Sequence, residues 1–340
     1  MKFRVYFLLA VAVLASALSC KKGDDEDTKE YLSGKLKISM HAYVNPGYTK
    51  SFQVDTMSTL KRADNGSLGY YFRASAFAIL DTVKKESDPR ARVFTFTVPD
   101  SLGSFSLRVA GFSTDYYSSS AEAAFTVVKP GHGEKTSLTG FDINKTDRQF
   151  TDERDNRSYF ITDAGDTEWM RENLAWDGAG YSFQNCEVMS PIFGRYYTWE
   201  EALTACPEGW RLPSEADWQN LLSYIGINCV SFSDATGAAG KLMENVSFNG
   251  TVMWPFSRNV KISNSARFSA LPSGYVITSG KSRKFSDLYS YAIFWSADKA
   301  EDGAYCRYIY KNQDCLYSGV RDTRSFAASV RCVRKKNDKQ

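Results

Sequence analysis

Apolar and polar positions divide the chain into zones. Phe7 to Ala15 form one apolar run, shorter than the roughly 20 residues that a membrane-spanning helix needs. From residue 31 to about 129 the pattern changes to alternation. Leu36, Ile38, Met40, Ala42 and Val44 recur every second position, and VFTFTV (Val93 to Val98), FSLRV (Phe105 to Val109) and Phe125 to Val128 repeat the signal. That period predicts strands with one buried face. Asn45-Pro46-Gly47, Asp64-Asn65-Gly66 and Pro99-Asp100-Ser101 supply the turns.

The second half carries helical periodicity. Thr198-Trp199-Glu200-Glu201 has a hydroxyl at the N-cap position and Glu three residues later, a capping box. Trp199, Ala202, Leu203 and Cys206 then follow on one face, and Pro207 and Gly209 stop the helix. Ser214 caps a second helix with Trp218, Leu221, Leu222 and Ile225 as its apolar stripe and Gly226 at its end. A long segment rich in Gly, Asn and Ser runs to about Arg267. Short β signals return between Phe268 and Val333. The expected architecture is mixed: an N-terminal all-β unit, then an α+β unit. About seven short strands in roughly 100 residues predict an immunoglobulin-like β-sandwich over 31–129, without the cysteine and tryptophan pin of antibody domains. Tyr70-Tyr71 and Tyr116-Tyr117 sit in it; alternation turns one ring of each pair inward, and glycan stacking is their other possible use. Pro130-Gly131-His132-Gly133 opens an expected linker over 130–156.

Charge and cysteine usage narrow the function classes. Of 42 Lys and Arg, Lys2 and Arg4 lie in residues 1–19, which leaves 40 against 39 Asp and Glu. That balance argues against a nucleic-acid partner, and Arg334-Lys335-Lys336 reads as a solvated tail. Beyond Cys20, the six cysteines (Cys186, Cys206, Cys229, Cys306, Cys315 and Cys332) and all seven tryptophans lie in the second half. An even cysteine number in an exported chain suggests disulfides. No CxxC or HxxxH pair suggests a metal, and no cofactor is expected. His41 and His132 are the only histidines, so a Ser-His-Asp or Cys-His arrangement would have to recruit one across domains.

The N-terminus reads as an export signal over residues 1–19: Lys2 and Arg4, the apolar run, then Ala17-Leu18-Ser19 before Cys20. It resembles a bacterial lipobox, which implies that Cys20 is acylated and begins the mature chain; an ordinary secretory signal with an incidental cysteine is the alternative. Lys21-Lys22-Gly23-Asp24-Asp25-Glu26-Asp27 resembles the acidic export signal of Bacteroidetes surface lipoproteins. It also reads as a solvated tether over 20–30. The implied location is the outer membrane, lipid-anchored and facing outward, with the membrane itself as one partner.

EWMRENL (Glu168 to Leu174), YYTWEEALTACPEGWRLPSEADWQNLL (Tyr196 to Leu222), FSALPSGY, FWSAD and SVRCVRK follow in one order. Over residues 157–335 this resembles the Fibrobacter succinogenes major paralogous domain. The resemblance implies a C-type-lectin-like fold in which a cysteine ending the first helix pairs with one in the last strand, here Cys206 with Cys332. Cys306 and Cys315 flank turn-like Lys311-Asn312-Gln313-Asp314, and Cys186 and Cys229 flank the two helices; both are candidate disulfides.

Three functions are in play. The first is a non-enzymatic surface lipoprotein that binds an unknown glycan or surface protein, through the loop Gly226 to Arg267 with Tyr289, Tyr291 and Tyr305. Trp254 is its candidate stacking residue, unless it pins the loop to the core. Calcium is not expected. The Glu-Pro-Asn, Gln-Pro-Asp and Trp-Asn-Asp triplets of sugar-binding C-type lectins are missing, the loop offers only Asp234 and Glu244 as carboxylates, and Phe294-Trp295-Ser296-Ala297-Asp298 lacks paired oxygens. The second is an enzyme. Arg211 to Trp218 also resembles the helix signature of the formylglycine-generating family, which holds copper between two close cysteines. Free thiols at Cys306 and Cys315 would favour it. The third is a structural subunit of a surface assembly.

Overall fold

The computed structural model describes residues 29–55, 57–74, 82–85, 92–255 and 257–336. Cys20 and the segment around it lie outside the described residues.

Among the described residues, nine strands between Glu30 and Val127 form two sheets. Gly69–Ala74, Gly103–Ser113 and Tyr116–Val127 anchor one of them. The other joins Ile38–Ser39, Thr49–Val54 and Val93–Thr97. Phe52, Phe72, Phe94, Phe96 and Phe125 are buried between the sheets, with Phe52 and Phe72 centroids 4.9 Å apart. Stacked and tilted ring pairs of this kind add to simple area burial. The alternating stretch Leu36 to Val44 is not one strand. Ile38–Ser39 pairs with Thr49–Val54, whereas Tyr43–Val44 pairs in parallel with Tyr116–Val127 in the opposite sheet. Alternation reports which side chains face the shared core, and both sheets face the same one. Tyr70 and Tyr116 are buried, and Tyr71 and Tyr117 are half-buried on the outside.

The expected linker is largely structured. Leu138–Thr139 pairs with Ser247–Phe248, and Arg148–Asp152 pairs with Arg157–Ala164. Arg148–Asp152 is an edge strand with mostly exposed side chains, so its polar composition concealed it. The distal half closes on itself: Thr167–Met170 pairs antiparallel with Val333–Lys335.

A nine-stranded sheet organises this half. The pairs Tyr291↔Tyr310, Ile293↔Tyr308 and Trp295↔Cys306 share one face, because directly opposite side chains project together. Helix Trp199–Ala205 covers part of that face, where Ile293, Trp295, Cys306 and Ala328 are buried with Ala202 and Ala205. Helix Glu215–Tyr224 covers the other, where Trp218, Leu221 and Leu222 join Trp169, Phe268 and Phe294. Both helices start in reciprocal capping boxes, Thr198 with Glu201 and Ser214 with Asp217. Asp217 also receives Arg211 Nη1 at 2.5 Å and Nη2 at 2.7 Å.

The covalent closure is Cys206–Cys332, with Cα atoms 5.8 Å apart and 126 residues of separation. Cys206 directly follows the first helix and Cys332 directly precedes the last strand. Replacing both by serine should lower stability by about 3–5 kcal/mol, the chain-entropy scale for such a loop; guanidinium unfolding midpoints measure it. Asp217 supplies a second expectation. Burial pushes its carboxyl up, but the Arg211 and Ser214 hydrogen bonds outweigh that and hold it below the usual carboxylate range. Its contribution is therefore present above about pH 4 and lost as pH falls toward the lowered value. The acid limb of stability against pH should be shallower in Asp217→Asn than in wild type.

Candidate functional site

The signature residues point inward. Arg331 is fully buried. It donates through Nε to Asn173 Oδ1 at 2.8 Å, through Nη1 to the Met170 and Phe268 carbonyls, and through Nη2 to Ser269 O at 2.9 Å. Burial pulls its guanidinium down to about 9, which leaves it charged at neutral pH. Arg171 is equally buried and donates to Ser269 Oγ, Asp142 O and Asp147 Oδ2. Its guanidinium is lowered by burial and by the like charge of Arg267. EWMREN, FSALPSGY and RCVR are thus three parts of one polar core. FWSAD is structural as well: Asp298 Oδ2 accepts from Glu215 N at 2.6 Å at the start of the second helix, and Trp295 Nε1 donates to Tyr197 O at 2.8 Å. Glu215 in turn forms a buried ion pair with Arg307.

Several expected site residues move out of contention. Trp254 is 2% exposed and donates to Ala270 O at 3.2 Å within the core of the second helix. The loop around it also buries Ala239, Leu242, Met243 and Met253. Small and polar residues suggested a solvated loop there; instead they let irregular chain pack against the sheet. Tyr289 packs on a separate apolar cluster. Tyr305 packs against Phe232, tilted, with centroids 4.2 Å apart, on the sheet face opposite Tyr291. Glu244 is buried and accepts from Asn264 Nδ2 at 2.6 Å, while burial raises its carboxyl. Asp234 accepts from Ser318 N at 2.9 Å.

The remaining cysteine assignments also change. Cys186, Cys229, Cys306 and Cys315 are free thiols. Cys306 lies opposite Gly319, four residues beyond Cys315 on the partner strand. At about 3.3 Å per residue the two are about 13 Å apart, beyond reach of a disulfide or of one shared copper. The turn between them is not a symmetric hairpin centre. Cys186 and Cys229 pack on different apolar clusters.

What the helices leave uncovered is a face of tyrosines. Beyond Trp199–Ala205 the first sheet face continues as Tyr275, Tyr291, Tyr308, Tyr310 and Tyr317, all half-buried. Tyr291 and Tyr310 centroids lie 4.5 Å apart, Tyr308 and Tyr317 stack at 5.1 Å, and Tyr275 stacks on Phe326 at 5.0 Å. Arg321 lies 5.6 Å from both the Tyr308 and Phe326 rings, and Lys311 Nζ is 5.0 Å from Tyr310. Burial raises the phenols of Tyr291, Tyr308 and Tyr317. Burial and a hydrogen bond to Asp287 push Tyr275 up to about 12. All four are neutral hydroxyls at physiological pH, able to donate and accept. Of this face only Tyr291 was anticipated. The readable signal was Tyr317-x-Gly319-x-Arg321, every second residue of one strand.

A cavity of about 280 Å³ lies under the segment that joins the two halves, lined by Phe141, Phe160, Phe193 and Leu271 together with His132 and Glu172. His132 Nε2 is 3.3 Å from Glu172 Oε1 and the ring stacks on Phe141 at 4.2 Å. Among the described residues no three His, Cys, Asp or Glu side chains converge as a metal set, and no helix is long and apolar enough to cross a membrane.

Thiol chemistry checks the cysteine placement. Burial pushes Cys306 up to about 11, and the thiolate is the reactive form. Native alkylation at pH 8 should label Cys229 first and leave Cys306 unmodified until the protein unfolds, as read by peptide mass mapping.

The family model described as the Fibrobacter succinogenes major domain matches residues 134–334. A comparison with curated proteins finds no match. Among solved structures, the solution structure of the PKD domain from human VPS10 domain-containing receptor SorCS2 is 16% identical. It covers 35% of this chain and 98% of that chain at a TM-score of 0.24, too low for the likeness to bear on the fold. The family match spans more than half of the chain and takes in the buried Arg331 network, both capped helices and the Cys206–Cys332 bond, and the chain belongs to the Fibrobacter succinogenes major domain family.

Proposed function

We propose that this chain is a non-enzymatic lipoprotein of the outer membrane that presents its distal domain to the exterior and binds a glycan or protein ligand there. The observation that carries the reading is the tyrosine face: five half-buried rings side by side, with hydroxyls and two flanking cations, on a sheet surface that no helix covers. Half-buried Tyr is the residue type that recognition surfaces favour, because a rigid ring supplies area at small entropic cost and its hydroxyl supplies direction.

The layout supports the same reading. Cys20 would carry the lipid and the acidic run would extend from the bilayer. The two-sheet unit, which we read as immunoglobulin-like, would act as a spacer. The distal half reads as C-type-lectin-like. Support comes from its two capped helices, its long irregular segment, the pairing of Thr167–Met170 with the last strand and the bond from the end of helix Trp199–Ala205 to the residue before that strand. Trp254 has no part in recognition on this reading.

Two measurements test it. Cys20→Ala should release the protein from the membrane fraction; unchanged attachment would refute the anchor. The purified chain from residue 21 should give a signal on a glycan array or capture a surface protein from the parent membrane, and Tyr308→Ala should reduce that signal at least tenfold without moving the unfolding midpoint. Binding indifferent to Tyr308 and Tyr291 substitutions would remove the tyrosine face from the proposal.

A further inference from the structure

We infer that the tyrosine face takes an acidic glycan, with the guanidinium of Arg321 anchoring a sugar carboxylate and the rings of Tyr291, Tyr308 and Tyr317 stacking on the sugar. This rests on the reading of that face as the binding surface and adds the ligand's chemical class.

Arg321 is the reason. It lies over two rings, Tyr308 and Phe326, and its positive charge opposes the burial-driven rise of the Tyr275, Tyr291 and Tyr308 phenols. It therefore sits among the tyrosines, not at their margin. Among the described residues its guanidinium makes one hydrogen bond, from Nη1 to its neighbour Val320 O at 2.9 Å. Arg324, three residues on, pairs with Glu200 at 3.0 Å; Arg321 has no carboxylate partner among the described residues. Among the described residues Nε and Nη2 of Arg321 make no hydrogen bond, and a guanidinium with free N–H groups on one side can take a carboxylate through two parallel bonds.

The strand leaves that fork uncovered. A Cβ at Gly319 would stand 3.1 Å from Tyr308 Cε1 and 3.5 Å from Arg321 Nη1. Glycine there opens a notch between the ring edge and the cation. Lys284 is exposed and lies opposite Ile277, which lies opposite Phe326, so a second cation projects from the same face. The acidic groups nearby are engaged. Asp287 holds the Tyr275 hydroxyl, and Asp234 takes Ser318 N.

A sugar fits better than an acidic peptide. Strand Gly303–Tyr310 lies between Tyr291–Ala300 and Cys315–Arg321, so its backbone is already paired. An extended peptide gains most from an open edge. The outer edge of Cys315–Arg321 is paired only at Cys315 and Leu316, with Ser318 N taken by Asp234; the face itself offers rings, hydroxyls and cations, and these match a carboxylated ring polyol.

The test uses the chain from residue 21 and paired probes: tri-galacturonate and sialyllactose, each against its own methyl ester, by titration calorimetry at low and moderate salt. At least one acid should bind tenfold or more tighter than its ester. Arg321→Gln should abolish that difference, Arg321→Lys should restore part of it, and Gly319→Val should weaken the acid with the unfolding midpoint retained. Equal binding of acid and ester, or an acid preference that survives Arg321→Gln, overturns the inference while leaving the tyrosine face intact. No response from any probe, with a protein ligand captured instead, also overturns it. Equal competition by a poly-glutamate peptide means that charge alone is read, and likewise overturns it. Loss of all ligand binding, protein included, is the distinct outcome that removes the underlying surface reading as well.

Discussion

One buried cation organises the distal half. The Arg331 guanidinium lies in an apolar interior, where an unpaired charge is prohibitive. It is tolerated because three backbone carbonyls and Asn173 Oδ1 surround it. Those acceptors belong to segments far apart in sequence: Met170 and Asn173 near the start of the domain, Phe268 and Ser269 after the long irregular segment. The same arginine therefore satisfies loop carbonyls that no ladder pairs and fixes where the loop returns to the sheet. The Phe268 and Phe294 ring centroids lie 4.5 and 5.2 Å from it, so the polar core and the aromatic core are one unit.

The covalent bond one residue further on acts at the same place. Cys332 joins the end of the first helix, Arg331 joins the loop, and Val333 pairs with Trp169. Three consecutive residues of SVRCVRK, Arg331 to Val333, thus gather the helix, the loop and strand Thr167–Met170. A family signature of this kind records the conditions for folding. In the tyrosine face, Tyr275 ends the FSALPSGY motif, whereas Tyr291, Tyr308, Tyr310 and Tyr317 lie outside the motifs.

The two halves are in contact through more than a tether. Tyr43 of the proximal sheet meets Phe183 edge-on at 5.8 Å, and Asn249 Nδ2 donates to Val127 O at 3.1 Å. His132 enters the cavity wall of the distal half beside Glu172. The segment that joins the halves is therefore part of the distal packing, and the distal sheet is carried on a supported base.

Sequence alone was sufficient wherever the determinant is local. Capping boxes, helix stripes and strand alternation depend on residues within a turn or two, and Thr198, Ser214, Trp218 and VFTFTV carried them; Leu203, expected on the first helix's apolar face, is instead exposed, and Leu36 to Val44 is shared between two sheets. The family resemblance supplied the Cys206–Cys332 pairing, which spacing by itself left among fifteen possibilities. Tertiary structure decided the rest. Whether Trp254 faced solvent, whether Cys306 met Cys315 and which tyrosines shared a surface all depend on register and on what packs above each strand. A one-residue change of register reverses a side chain's face, and the reach of a short helix decides which rings of a continuous sheet remain open to water. Those are relations between distant segments, and no local pattern encodes them.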